Sequence, residues 1–249
     1  MIKFFRKIRQ GLLAENKFTK YLAYALGEII LVVIGILIAL QLHNWSDYKK
    51  ERIAETKLLQ NLLEDLNRDS VVFDVNIQNN RFHIAVLDTM LHEISFNPDY
   101  NIMDFLRHNK AFPFFGKFLA TKGSYVESLS SGKLSLILSD SLRKEILAYY
   151  EVDLHTLGAD KIVDYDMNVF RTEWNDLISH SQEYGLVMGV ATNFPNMSVK
   201  EITSDPRYRK LLMQKRGVVG AQIEGWQRVK AINAHLRHSI ESELKRRKN

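Results

Sequence analysis

The sequence predicts an all-α protein: one N-terminal transmembrane helix followed by an antiparallel bundle of long helices with short supplementary helices. Three observations predict it. An apolar run, Ile29 to Leu40 (IILVVIGILIAL), extends with its flanks from Tyr21 to Leu42 and contains a single charge, Glu28. Beyond Trp45, apolar residues recur at alternating steps of three and four, the period of a helix face. No alternating strand pattern with hairpin turns accompanies them.

Residues 1–20 form a basic segment. Lys3, Arg6, Lys7, Arg9, Lys17 and Lys20 outweigh one acid, Glu15, and the resulting +5 is the formal net charge of the whole chain. Phe4 or Phe5, Ile8 and Leu12 recur at helical spacing, which reads as a short helix on the inner membrane surface. The alternative is a disordered tail that only sets topology. The remaining residues carry 28 of the 34 basic and 28 of the 29 acidic side chains and balance. A neutral domain has no field with which to follow a phosphate backbone, so nucleic acid is excluded as a partner.

Residues 21–43 are the predicted span, since ~20 apolar residues cross ~30 Å of hydrocarbon. The run ends Leu37-Ile38-Ala39-Leu40-Gln41, with large residues where signal cleavage needs small ones, so the anchor is expected to be retained. Tyr21 and Tyr24 at one end and Trp45 and Tyr48 at the other suit the headgroup level. The basic flank predicts an N-terminus in the cytoplasm and the long domain outside. Lys49, Lys50, Arg52 and Lys57 oppose this weakly, because long domains translocate largely regardless of charge.

Two features mark the span. Ala23, Gly27, Gly35 and Ala39 follow a four-residue step along one face, with Leu31 filling the gap. Small residues in such a seam let two helix backbones approach, giving a homo-oligomer or a membrane-protein partner; the alternative is the ordinary abundance of Gly and Ala in spans. Glu28 lies one turn inside Tyr24. It reads as a carboxylate tethered to the interface, or else as a partner contact or a group with a proton-linked role. No second ionisable group follows it within the span, so this chain alone builds no proton relay.

Residues 44–249 are read as one helical domain. Leu59, Leu63, Leu66, Ser70, Phe73, Ile77, Asn80, Ile84, Leu87, Leu91 and Ile94 form a heptad seam on a coiled-coil-like helix from about Asp47 to Ser95, ended by Asn97-Pro98. Asn80 reads as a register-setting residue or as one facing a polar neighbour. Asn101 with Asp104, and Ser124 with Glu127, signal short helices, and Ser130-Ser131-Gly132 breaks the chain. A second long pattern, about Asp140 to Gln182, has Leu142, Ile146, Tyr149, Val163, Met167, Phe170, Trp174 and Leu177 on its buried side and Gly158 as a kink. A third runs from Pro206 to Arg246 through Val219, Gln222, Trp226, Val229, Asn233, Leu236 and Ile240, opened by Ser204-Asp205-Pro206. Its direction is left open; if it runs toward the membrane, Lys245, Arg246, Arg247 and Lys248 meet lipid headgroups.

Chemistry is harder to find. The chain has no cysteine, so disulfides, thiolate metal sites and thiol catalysis are excluded. It carries no P-loop, dinucleotide fingerprint, HExxH or GxSxG. His235, His238 and Glu241 share a helix face; they could bind a metal if another element supplied ligands, but polar surface is the commoner reading of such a group. Asp153, Asp160, Asp164 and Asp166 read as a solvated face. The aromatic segment Phe112 to Leu119 reads as a plug at the end of the bundle; the alternative is a segment that dips into a membrane or receives a partner. No catalytic residue, cofactor or metal is therefore assigned.

The opening FFRKIRQGLLAENKFTKYLAYALGEIILVVIGILIALQLHNW, followed by SSGKLSLI and the pair Tyr149-Tyr150, resembles an uncharacterised family of single-span membrane proteins from Gram-negative Bacteroidetes. The resemblance implies an inner-membrane protein with a helical periplasmic domain, and it carries over no functional residue. The function expected is a membrane-anchored periplasmic interaction module, a scaffold or ligand sensor. With only about 20 residues ahead of the span, a sensor would signal through a membrane partner. The alternatives are a metal-assisted hydrolase with an unrecognised site and an accessory subunit of an ion-driven complex using Glu28.

Overall fold

Between Gly35 and Pro98 the chain contains neither glycine nor proline, and nothing in that stretch interrupts a helix once begun. The result is α1, Phe18–Phe96, which carries the apolar run and the heptad seam in one element and stops just before Asn97-Pro98. The computed structural model describes residues 18–97, 99–109, 120–151, 164–179 and 198–247. Among these residues six more helices follow: α2 Ile102–Asn109, α3 Gly123–Ser130, α4 Asp140–Glu151, α5 Arg171–Ser179, α6 Val199–Ser204 and α7 Pro206–Arg246. A 3₁₀ turn, Lys133–Leu136, precedes α4, and a π-helical turn, Asp166–Phe170, leads into α5. No strand occurs among the described residues, and the fold is all-α as the periodicity predicts. The chain divides into two units, Met1–Thr56 and Lys57–Asn249.

In the second unit, α1 and α7 run antiparallel. Arg209 donates to Ser95 Oγ at 2.7 Å, Arg216 pairs with Asp88, Asn80 donates to Gln222 Oε1 at 2.9 Å, Lys230 pairs with Asp74, and Asn233 Nδ2 donates to the Leu66 carbonyl at 3.0 Å. As the α1 number falls, the α7 number rises. The C-terminus of α7 therefore returns to the Leu58–Leu66 end of α1. The seam is inside: Leu59, Leu66, Phe73, Ile77, Asn80 and Leu87 are buried, as are Val219, Gln222, Trp226, Val229, Asn233, Leu236 and Ile240 opposite. Phe73 meets Trp226 with ring centroids 5.9 Å apart. Asn80 is explained by a polar neighbour, Gln222.

The shorter elements close the two ends of this pair. At one end Leu58, Leu59, Leu62 and Leu66 pack with Tyr125, Leu134, Ile137, Leu142, Ile146 and α7's Leu236 and Ile240. At the other, Leu87 and Met90 pack with Phe105, Phe170, Trp174, Ile202 and Tyr208.

Caps follow side-chain chemistry, with one correction. Asn101 Oδ1 accepts from Met103 N at 2.9 Å and opens α2. Asp205 Oδ1 accepts from Arg207 N at 2.8 Å, with Pro206 in the first turn of α7. Ser198 and Glu201 form a full capping box on α6, a pattern the sequence reading overlooked. The box expected of Ser124 and Glu127 does not form. Lys122 is the N-cap of α3 and lends no side chain; the acceptor comes from another helix, Asp65, whose Oδ2 takes Ser124 N at 3.1 Å. The break after α3 is made by Gly132 at φ +70°, a left-handed conformation that glycine adopts without a Cβ penalty. Phe112 to Leu119, Asp153, Gly158, Asp160, Val163 and Lys248 lie outside the described residues.

The Asn80–Gln222 bond gives a direct test of the pairing. Asn80→Leu alone leaves the Gln222 amide buried and unpaired, and should cost about 1–3 kcal/mol. Asn80→Leu with Gln222→Leu should cost measurably less than the single change. Urea unfolding of the full chain in detergent reads both.

Candidate functional site

The first unit offers a surface rather than a pocket. Thirteen large apolar side chains between Leu22 and Leu42 are exposed, each at 47–71 %. They surround the helix on all sides, and none of the most apolar window is covered by the protein. This is one helix long and apolar enough to cross a membrane, by its length and composition. Moving these half-exposed side chains from water into hydrocarbon is favourable by on the order of 10–20 kcal/mol. At its far end Lys49 lies 5.6 Å from the centre of the Trp45 ring and Arg52 5.1 Å from that of Tyr48, which gives the aromatic residues there a cationic collar.

The residues singled out in the span fall as follows. Gly27 and Gly35 are exposed, with open space where a side chain would project, and Ala39 is exposed. Glu28 is half-buried among exposed neighbours. Ala23 lies within α1, but its side chain is outside the described residues. In a regular helix each step of four advances the stripe by about 40°, so the seam winds slowly round the rod. Such i±4 ridges pack at right-handed crossings.

The second unit holds two buried polar centres that sequence reasoning missed. In the first, Asp69 (1 % exposed) accepts from Thr121 N at 3.0 Å, from Thr121 Oγ1 at 2.7 Å and from Tyr149 Oη at 3.0 Å. Asn233 Nδ2 donates onward to Tyr149 Oη at 3.1 Å. Asp65, one turn earlier on α1, receives Ser124 N and Arg68 at 3.1 and 3.2 Å. Tyr150 stacks on Tyr125 at 4.5 Å and meets Tyr149 edge-on at 4.9 Å. Burial pushes the Tyr149 and Tyr150 phenols far up, so both stay protonated, and burial with the Glu151 contact raises Tyr125 to about 12. One carboxylate thus ties α1, the strap at Thr121, α4 and α7 together. The two signature fragments SSGKLSLI and Tyr149-Tyr150 meet around it, with Leu134, Ile137 and both tyrosines in a single cluster.

The second centre is an ion pair. Lys215 of α7 (1 % exposed) holds Asp166 of the π turn (3 % exposed), with its ammonium 4.5 Å from the centre of the Phe170 ring. Burial pulls the Lys215 ammonium down and Asp166 opposes that. The acidic stretch is therefore not uniformly solvated: Asp164 is exposed but Asp166 is buried, because a lysine from 49 residues onward closes on it. The legible signal was Lys215 itself, in step with Leu211, Val219 and Gln222 on the buried face of α7.

His235 and His238 are exposed and Glu241 half-buried; His235 Nε2 lies 3.7 Å from Glu145. No group of three His, Asp or Glu placed to hold a metal occurs among the described residues.

The profile of a family described as Family of unknown function (DUF6090) matches residues 28–184, more than half of the chain. The chain belongs to this family. The DUF6090 match begins at Glu28 and takes in the apolar run, Asp65, Asp69, the tyrosine pair and Asp166, while Lys215 and Asn233 lie beyond it. No curated protein and no solved structure matches the chain.

The Asp69 centre predicts a graded mutant series. Asp69→Ala strands three donors, one of them the buried Tyr149 hydroxyl, and should cost about 3–4 kcal/mol, whereas Tyr149→Phe should cost about 1–3 kcal/mol. Chemical denaturation of the full chain in detergent measures both, and equal costs would contradict the central role of the carboxylate.

Proposed function

We propose that this DUF6090 protein is a membrane-anchored helical interaction module. The apolar part of α1 crosses a bacterial inner membrane, the N-terminus faces the cytoplasm, and the helical unit from Lys57 onward works in the periplasm as a scaffold or ligand sensor. The observation that carries the reading is the rod of thirteen exposed apolar side chains, for which lipid is the solvent of lowest free energy. The basic flank ahead of it supports the orientation. The open Gly27, Gly35 and Ala39 positions support a helix partner within the membrane, either a second copy or another span.

The absence of cysteine makes the reading easy to test with single introduced thiols. In native membranes, Ile34→Cys should resist maleimide, and Arg68→Cys should be labelled from the periplasmic side by an impermeant reagent. Gly35→Cys should form crosslinked adducts with a neighbouring span more readily than Ile36→Cys. Labelling of Arg68→Cys from the cytoplasmic side only would reverse the topology. A chain that crosslinks to nothing at either position would remove the interaction role.

A further inference from the structure

A second apolar seam runs along α1, by the helical period on nearly the opposite side from Phe73, Asn80 and Leu87, which are buried in the core. Down its middle, one heptad apart, come Val75, Phe82 and Thr89. Val72, Asn79 and Val86 flank this row on one side, so that steps of three and four alternate from Val72 to Thr89. The other flank, from Val71 through Gln78 to Ala85, is equally uncharged. Val71, Val75 and Phe82 are 64, 50 and 60 % exposed, and only Val86, near the far end, packs on the core beside Leu87 and Met90.

Charge marks the limits of the seam. For about five turns its three rows hold no charged side chain, in a chain of which 25 % is charged. On the next row round the helix, Asp74 and Asp88 are turned to α7, where they pair with Lys230 and Arg216. Arg68 continues the middle row at one end, and Glu93 continues the Val86 row at the other.

We infer that this seam is a homodimer interface: a second copy of the chain packs on it as a parallel, in-register, two-stranded coiled coil from Val71 to Thr89. In-register pairing sets every residue against its own counterpart, so only an uncharged face meets its copy without bringing like charges together. Arg68 against Arg68 and Glu93 against Glu93 repel, which confines the contact to the neutral five turns. Valine at the positions of Val72 and Val86 favours two strands. Asn79 between them pairs amide to amide with its counterpart, and a slip of register would leave that amide without a partner in an apolar seam. The area also fits: such a seam buries on the order of 1,200 Å² in total, the low end of the range for stable interfaces. That suffices when the copies are confined to one membrane, where their effective concentration is high. In this respect the inference rests on the proposed anchoring, and two copies tethered through the same end of α1 suit a parallel pair.

Single cysteines in the full chain, in native membranes under mild oxidation, test this. Two differently tagged copies expressed together identify a crosslinked product as the homodimer. Val75→Cys should give that product in several-fold higher yield than Arg81→Cys, which is exposed on the same helix but outside the seam. Adding Phe82→Glu to Val75→Cys should cut the yield several-fold. Phe82 is exposed and glutamate is a good helix former, so circular dichroism should show the same helix content. The seam is overturned by equal yields from Val75→Cys and Arg81→Cys, by a yield that Phe82→Glu leaves unchanged, or by a Val75→Cys that crosslinks only to a different protein. Antiparallel pairing overturns it too: Val75 would then face the partner's Val86, and a dimer would form only between Val75→Cys and Val86→Cys copies. Gly35→Cys adducts without Val75→Cys dimers would strike the seam alone and leave the contact within the membrane standing.

Discussion

The antiparallel pairing of α1 with α7 is the constraint on which the second unit depends. Over the stretch from Leu66 to Ser95, about 45 Å of helix, every contact between the two follows one register. The shorter helices have no core without it. α3, the 3₁₀ turn and α4 close one end around Leu59, Leu62 and Leu236, and α2, α5 and α6 close the other around Leu87, Met90 and Tyr208. Each of them buries its apolar face against a surface that α1 and α7 create together.

Apolar packing alone would not choose this register, because Leu, Ile and Val seams tolerate a slip of one heptad. The buried polar groups do choose it. Asn80 meets Gln222, and Asn233 meets the Leu66 carbonyl. A slipped register would leave these groups buried and unpaired, at about 1–3 kcal/mol each. The outer pairs, Asp74 with Lys230 and Asp88 with Arg216, agree in register but are exposed and contribute little energy. Polar groups here specify the fold more than they strengthen it.

What the sequence made legible was whatever is periodic or local. The seam from Leu59 to Ile94, the stop at Asn97-Pro98, the Asp205-Pro206 start and the Gly132 break each depend on residues a few positions apart. What it hid depends on distant partners. Nothing local marks Asp65 and Asp69, whose partners Thr121, Ser124 and Tyr149 reach them from more than 50 residues away. Ser124 was read as a local cap because its true acceptor is on α1. Asp166 was placed on a solvated face because its lysine comes 49 residues later. In the candidate span, composition revealed the apolar rod, but a stripe of small residues does not say what approaches it.

The first unit obeys a different constraint, set by the solvent around it rather than by packing. The second unit is where the physical reading can be tested with a ruler. Paired nitroxide labels on the cysteine-free chain offer the most direct measurement, with electron–electron distances for Thr89→Cys with Gly217→Cys and for Thr89→Cys with Ser242→Cys. Antiparallel pairing at the usual interaxial spacing predicts a short distance for the first pair, below about 25 Å, and one near 40 Å for the second. A short distance for Thr89 with Ser242 and a long one for Thr89 with Gly217 would mean that α7 runs the other way, and the arrangement described here would be wrong.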